Sequence, residues 1–244
     1  MTLVLAAMDG ELEAIIAGMT VERRGEWHGF RVVQGTVAGG AVVAARTGVG
    51  KSLSALVTGY LVERFNPDRI LCTGIAGALH AGLEVGDVVI ARETLQHDMD
   101  ASACGFPRGR VPGTRYRELV CDPTLVALAR GIDPPSGHVR TGHVRTGRVL
   151  TGDRFVDDPA ERAALARAFS GDAVEMEGAS VGLVAAVYGI PYLVIRTISD
   201  GGAPGAASGG KDLGAALCRA AANSWHYVSG MLEALRGEDE QTRV

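Results

Sequence analysis

Tyr192-Leu193-Val194-Ile195-Arg196-Thr197-Ile198-Ser199-Asp200 is an apolar run that begins after Pro191, ends in an acid and is followed by Gly201-Gly202. A short run rich in β-branched residues and closed by turn formers reads as a buried strand of a parallel sheet. Ligands of such sheets sit beyond the carboxyl ends of the strands, so Asp200 is expected to face a pocket. Upstream, Val174-Glu175-Met176-Glu177-Gly178-Ala179-Ser180 ends a second apolar run in acidic side chains. Carboxylates placed at two such ends point to chemistry.

Strand-like runs recur at 3–7, 42–46, 70–73, 88–91, 149–151, 173–176 and 192–196. Apolar residues at helical spacing mark 52–65, 159–169, 178–188 and 213–235. Strands and helices therefore alternate as in an α/β protein with a mixed central sheet and flanking helices. The 244 residues, 47% of them hydrophobic, suit a single domain over 1–236, followed by a solvated tail at 237–244. Residues 105–116, rich in Gly, Pro and Arg, read as a long loop of the kind that meets a partner or covers a site. Residues 201–210 read as a mobile flap beside Asp200. The tandem His138-Val139-Arg140-Thr141-Gly142 and His143-Val144-Arg145-Thr146-Gly147 is too short for a solenoid.

A net charge of -4 with no run of Lys or Arg argues against a nucleic-acid or anionic membrane surface and leaves a small ligand as the expected partner. Cys72, Cys104, Cys121 and Cys218 form no C-x-x-C pair and have no His at metal spacing, so neither a disulfide framework nor a zinc site is expected. His97 in His97-Asp98-Met99-Asp100 is likewise not spaced for metal, and His28, His80 and His226 stand alone. The N-terminal stretch lacks a basic leader and no run is long enough to span a bilayer, which makes the cytoplasm the default location.

Gly48-Val49-Gly50-Lys51-Ser52 resembles a phosphate loop, but that pattern needs glycine where Ala45 stands. What remains is a strand-to-helix turn, or a helix N-terminus that holds a ligand oxygen. Gly74-Ile75-Ala76-Gly77 follows the 70–73 run and lets a flat ligand approach the backbone. Glu175 and Glu177 share a face if the strand continues through them and separate if a helix begins. One of the two caps or pairs internally; the other can accept both hydrogen bonds of a vicinal diol. For Glu177, stabilisation by a helix dipole is the simpler reading. Arg196, near the end of a buried strand, needs an anionic partner, for which Asp200 and Glu11 are the candidates.

Seven motifs stand in one order. They are Ala7-Met8-Asp9-Gly10-Glu11-Leu12, Thr47-Gly48-Val49-Gly50-Lys51, Thr73-Gly74-Ile75-Ala76-Gly77, His97-Asp98-Met99-Asp100, Thr151-Gly152-Asp153-Arg154-Phe155, Val174-Glu175-Met176-Glu177, and Arg196-Thr197-Ile198-Ser199-Asp200. In this the chain resembles the nucleoside phosphorylase and nucleosidase superfamily, most closely the 5′-methylthioadenosine/S-adenosylhomocysteine nucleosidases, over nearly its whole length. The resemblance implies a sheet forming a distorted barrel ringed by helices, a purine nucleoside substrate, no cofactor or metal, and a homodimer whose subunits complete each other's sites. It implies that Asp200 serves purine N7 as the acid with Ser199 in support, that Glu11 holds or deprotonates the attacking water, and that Glu177 takes the ribose diol. Phe155 would stack on the base, Val156 would offer its backbone to the base edge, and Met176 would lie against the ribose. Met8, Ala76, Gly77 and Arg196 complete the residues expected to touch substrate.

The chemistry of the bond agrees with these roles. Breaking a C–N glycosidic bond puts negative charge on the purine and positive charge on the sugar, so a neutral acid at the base and anions around the sugar both lower the barrier. Asp200 would then carry a proton, which burial beside Ile198 favours. The chain departs from the family pattern at Cys104, where an aromatic residue commonly lies, with Phe106 two further on, and at Leu213 and Ile75. The expected activity is hydrolysis of a 5′-substituted adenosine. The rivals are a phosphorylase that recruits Arg46 and Arg196 to bind phosphate, and a non-catalytic nucleoside binder.

Overall fold

The computed structural model describes residues 1–133, 143–200 and 213–241, with side chains except at 213–220 and 238–241. The flap 201–210, the first half of the tandem repeat and the side chains of Leu213 and Cys218 lie outside the described residues. The chain runs β1 (Thr2–Ala6), α1 (Asp9–Ala17), β2 (Thr20–Trp27), β3 (Phe30–Val37), β4 (Gly40–Arg46), α2 (Lys51–Phe65), β5 (Arg69–Ala78) and β6 (Val88–Gln96). After a short 3₁₀ turn (Ser102–Cys104) come β7 (Leu119–Val120), α3 (Pro123–Arg130), β8 (Val144–Thr151), α4 (Pro159–Phe169), β9 (Ala173–Glu175), α5 (Gly178–Tyr188), β10 (Tyr192–Asp200) and α6 (Leu213–Gln241).

The sheet is organised on β5. Its ten residues are too long for one set of neighbours, so they serve two. Along one edge, Arg69 to Thr73 pair in parallel with Thr2 to Ala6 of β1. Further along, Gly77 and Ala78 pair antiparallel with Val174 and Ala173 of β9. The opposite edge pairs in parallel with β10. From β10 the ladder continues through β6, β8 and β9 back to β5, closing a five-stranded barrel. From β1 it continues outward as a wing of β4, β3 and β2. Barrel closure and the mixed sheet are as the resemblance implied.

Where β1 has ended and β9 has not begun, the backbone at 74–76 has no strand along that edge. Backbone donors left open in a protein interior must find another partner. Here the Ile75 N–H donates to Glu11 Oε1 at 3.1 Å. The gap in the ladder is thus filled by a carboxylate from the first turn of α1, and the Gly74-Ile75-Ala76-Gly77 stretch lies inside β5 instead of following it as expected. The strands at 88–91, 149–151 and 192–196 likewise run longer than their apolar cores, to Gln96, back to Val144 and on to Asp200. Helix α6 continues to Gln241, past the expected boundary at 236.

The wing hairpins are absent from the sequence reading. β2 is mostly exposed and carries Glu22, Arg23 and Arg24, charges that protect a sheet edge from pairing with other chains but erase the alternation that signals a strand. Both wing turns have two residues at positive φ, His28-Gly29 and Ala38-Gly39, the geometry that matches strand twist in two-residue hairpins. Helix α1, which opens with Asp9-Gly10, and the eight-residue α3, which buries Leu125 and Ala129, are also absent from the sequence reading.

The core beneath β5 is apolar and fully buried, with Leu71 at 1% exposure against 68% for Val120 on β7. Leu71→Ala is therefore expected to lower unfolding free energy by about 2–5 kcal/mol. Val120→Ala is expected to stay within about 0.5 kcal/mol of the parent. Urea unfolding of the two variants side by side checks this, and equal midpoints would count against β5 as the centre of the fold.

Candidate active site

A cavity of about 240 Å³ opens at the carboxyl ends of β1, β5 and β10. Glu11, Ala7, Met8, Gly74, Ala76, Gly77, Phe155, Val156, Glu175, Met176, Glu177, Ser199 and Asp200 all line it. Every residue expected to touch substrate is among them except Arg196.

Glu11 is 1% exposed, in the first turn of α1. Its Oε2 accepts the backbone N–H groups of Ala7 and Met8, both at 3.1 Å, and its Oε1 accepts that of Ile75. Burial pushes its carboxyl above the ordinary range, opposed by the nearby Arg196 and by these three backbone bonds. Gly74 makes this arrangement possible: a Cβ there would stand 2.9 Å from Glu11 Oε1 and 3.3 Å from Arg196 Nη1.

Strand β9 ends at Glu175, so Glu175 and Glu177 separate and take different tasks. Glu175 Oε2 accepts the Glu177 and Gly178 N–H groups at 3.0 and 2.7 Å, at the start of α5, and Thr151 Oγ1 donates to its Oε1. Glu175 is thus the acid at this helix N-terminus, and Glu177, for which that simpler reading was expected, makes no cap bond. Glu177 accepts the Gly50 N–H at 2.9 Å and lines the cavity. Burial first, and then the charge of Glu175, push the Glu177 carboxyl up to about 7.

Arg196 pairs with neither Asp200 nor Glu11, the two candidates. Its Nε and Nη2 bond Glu175 Oε2, with Glu177 Oε2 at 3.8 Å from Nη2. Burial requires this, because Arg196 and Glu175 are 1% and 2% exposed at their side chains and an unpaired charge there is untenable. Arg196 acts as the support of the acidic cluster and does not reach the cavity.

Asp200, the last residue of β10, is ion-paired with Arg162 of α4. The sequence reading placed this acid beside Ile198 and supplied no such cationic partner. Ser199 Oγ lies 3.2 Å from Asp200 Oδ1 and 3.3 Å from the Ala76 carbonyl. Gly77 makes room here as Gly74 does for Glu11, since a Cβ would meet Asp200 Oδ1 at 3.2 Å and Arg162 Nη2 at 3.3 Å. Sequence reasoning missed Arg162. Its signal was its place on the buried stripe of α4, with Leu165 and Phe169 three and seven residues on.

The start of α2 in the Gly48-Val49-Gly50-Lys51 turn binds the chain's own carboxylates, while Val49 lines the cavity. The Gly50 N–H goes to Glu177 and the Lys51 N–H to Asp153 Oδ1 at 2.6 Å, so carboxylates of the chain itself occupy the start of α2. Lys51 Nζ pairs with Asp98 at 2.6 Å, tying this turn to the His-Asp motif. His97 is buried, and burial holds its pKa below the ordinary value. Burial also pushes the Cys72 thiol up to about 11 and that of Cys121 to about 12, as suits packed thiols. Cys104 and Phe106 are exposed and outside this cavity.

A barrel closed on one strand shared with a wing, with acids at its carboxyl end, defines the class. The phosphorylase superfamily model matches residues 2–233, and the chain belongs to that family. A Bacillus thuringiensis protein named 5′-methylthioadenosine/S-adenosylhomocysteine nucleosidase is 33% identical over 238 residues, covering 96% of this chain and 98% of that one. The Neisseria meningitidis nucleosidase of the same name, solved with methylthio-immucillin-A, superposes with a TM-score of 0.85 at 31% identity, covering 96% of this chain and 98% of that one. The Helicobacter pylori futalosine hydrolase superposes with a TM-score of 0.85 at 29% identity, covering 96% and 97%.

Removing Arg196 leaves Glu175 a buried charge, so Arg196→Met should lower stability by about 3–5 kcal/mol. Arg31→Met, which removes an exposed pair with Glu13, should cost less than about 1 kcal/mol. Denaturant unfolding at pH 7 separates the two, and similar small losses would mean that the buried pair contributes little.

Proposed function

We propose that this chain hydrolyses the N-glycosidic bond of a 5′-substituted adenosine, releasing adenine and the 5′-substituted ribose with water as nucleophile. The observation that carries the reading is Glu11, a buried carboxylate held by three backbone N–H groups at the cavity wall. An anion there suits a water molecule, which it can orient and deprotonate, and repels a phosphate dianion. The guanidiniums that a phosphorylase would recruit are engaged elsewhere: Arg196 with Glu175, and Arg46 with Asp9 at 3.3 Å and the Gly29 carbonyl at 2.6 Å.

In this reading the sugar lies between Glu11 and Glu177, with Glu177 accepting the ribose diol and Met176 against the ring. As the bond stretches, positive charge on the sugar meets two carboxylates, which stabilise it. Asp200, backed by Ser199, delivers a proton or hydrogen bond to purine N7. Phe155, 66% exposed and with no ring among the described residues against it, is the platform for the base, and the Val156 backbone reads its edge. The named activities of the relatives support a 5′ substituent. The exposed loop carrying Cys104 fits a homodimer in which each subunit closes the other's 5′ pocket with few aromatic groups, admitting substituents bulkier than methylthio. No helix among the described residues is long and apolar enough to cross a membrane; the cytoplasm is the proposed location.

Release of adenine from 5′-methylthioadenosine, S-adenosylhomocysteine and aminofutalosine should proceed without phosphate and leave a free sugar. Strict phosphate dependence would replace this reading with the phosphorylase, and no release with tight analogue binding would replace it with the binder. Asp200→Asn and Glu11→Gln should each lower kcat by about 10²- to 10⁴-fold with analogue affinity largely kept, because each lost interaction belongs to the transition state. Unchanged turnover removes the substituted residue from the mechanism.

The raised carboxyls set the pH profile. Glu11 and Glu177 must be ionised to act, so kcat/KM should fall as pH drops through their raised values, which places the acid limb above the ordinary carboxylate range and toward about 7. Glu177→Gln should move or abolish that limb. An acid limb near pH 4 in the parent would refute the assignment.

A further inference from the structure

Arg162 is absorbed by none of the roles above, yet it is a cation held against the proposed acid. It projects from the first turn of α4, whose entry is fixed by the Asp158 cap and Pro159. Its side chain is 11% exposed. Nε and Nη2 both donate to the Val156 carbonyl, at 3.1 and 3.0 Å, and Nη2 also meets Asp200 Oδ2. One guanidinium thus joins the backbone proposed to read the base edge to the carboxyl proposed to serve N7.

A guanidinium has five donors and no acceptor. The oxygen of Asp200 that faces Arg162 therefore accepts, and it is the less favourable one to protonate, because a hydroxyl oxygen is a poor acceptor and its proton would face a donor-only cation. Oδ2 is that oxygen, which leaves Oδ1, 3.2 Å from Ser199 Oγ and 3.2 Å from where a Cβ on Gly77 would stand. When Asp200 takes up a proton, Arg162 restricts the hydroxyl to Oδ1. Ser199 Oγ can donate to Oδ1 or to the Ala76 carbonyl, so turning its proton to Ala76 frees Oδ1 to carry the hydroxyl. Carboxyl rotation, which would turn the hydroxyl away from the base, is blocked because it would break the bond to Arg162.

We propose that Arg162 is a positioning residue that orients Asp200 and selects Oδ1 as the proton-carrying oxygen. The inference rests on the nucleosidase reading, in which Asp200 is the acid. It acts through Asp200 and along the line from Val156, so its loss should affect the chemical step more than binding. A residue needed only for packing of α4 would instead lower stability and affinity together.

The test compares Arg162→Met, Arg162→Lys and Asp200→Asn with the parent, reading kcat, KM, thermal midpoint and the dissociation constant of a non-hydrolysable 5′-methylthioadenosine analogue. Arg162→Met should lower kcat by about ten- to a hundredfold, the scale of a misplaced catalytic group. KM and the analogue dissociation constant should stay within about threefold of the parent, a shift small beside that fall. Arg162→Lys, which keeps a cationic donor with no acceptor, should recover part of the lost kcat. Unchanged or raised kcat in Arg162→Met would overturn the proposal, as would parallel losses of kcat, affinity and thermal midpoint, or a lysine variant no better than methionine. Asp200→Asn decides the underlying reading separately: full activity there refutes the acid assignment, whereas a large loss there with an unaffected Arg162→Met refutes only the positioning role.

Discussion

The buried pair between Arg196 and Glu175 is the constraint on which the site depends. Arg196 leaves β10 opposite Gly74 of β5 and Glu175 ends β9, so the guanidinium passes over β5 to join the strands that flank it within the barrel. Gly74 has to be glycine for that passage, because a Cβ would stand between Arg196 Nη1 and Glu11 Oε1. The same carboxylate that neutralises Arg196 accepts the first N–H groups of α5, so pairing, strand termination and helix initiation share one acid. Glu177 is then delivered to the cavity by the turn that Glu175 holds.

The join at β5 places the rest. Strand β1 ends at Ala6, opposite Thr73, and its exit leads directly into α1, whose first turn carries Glu11 back to the open edge of β5. Strand β10 follows β5 further and ends beside Gly77 with Asp200. Two acids far apart in sequence are brought to one cavity because both stand at the carboxyl end of strands that share a neighbour. Ligands bind in open α/β sheets at the carboxyl edge for the same reason; here the edge is formed where a sheet divides into a barrel and a wing.

Much of this was legible in the chain. Helices α4 and α5 were read with the bounds they have, and seven strands were located, because apolar stripes and short β-branched runs leave a clear period. The strand at 192–196 was read short because its end is polar: Thr197, Ser199 and Asp200 belong to β10 by hydrogen bonding, not by hydropathy, whereas β5 was read short because Gly74 to Gly77 look like a turn. The wing hairpin failed for the reason that protects it, a charged edge. Among site residues the acids announced themselves as polar ends of apolar runs, but their partners did not. Glu175 pairs with Arg196 over 21 residues and Arg162 with Asp200 over 38, distances at which spacing carries no information. Arg162 in particular sits in a stretch that reads as an ordinary amphipathic helix, and only its alignment with Leu165 and Phe169 separates it from a surface arginine.

In the proposed reaction, the charge balance of the cavity works for a sugar that becomes cationic. Glu11, Glu175 and Glu177 surround a single buried guanidinium, and Glu175 already takes both of its shorter contacts. The other two carboxylates are left with backbone donors, three to Glu11 and one to Glu177, and with a more distant cation. Desolvation without a matching positive charge is what raises both carboxyls. A neutral nucleoside relieves little of that cost, since it brings no charge. A sugar that becomes positive as its bond to the base breaks relieves it at the moment of reaction, so the interaction is stronger in the transition state than in the ground state. The fold keeps this deficit of positive charge in place because Arg196 cannot turn toward the cavity without abandoning Glu175.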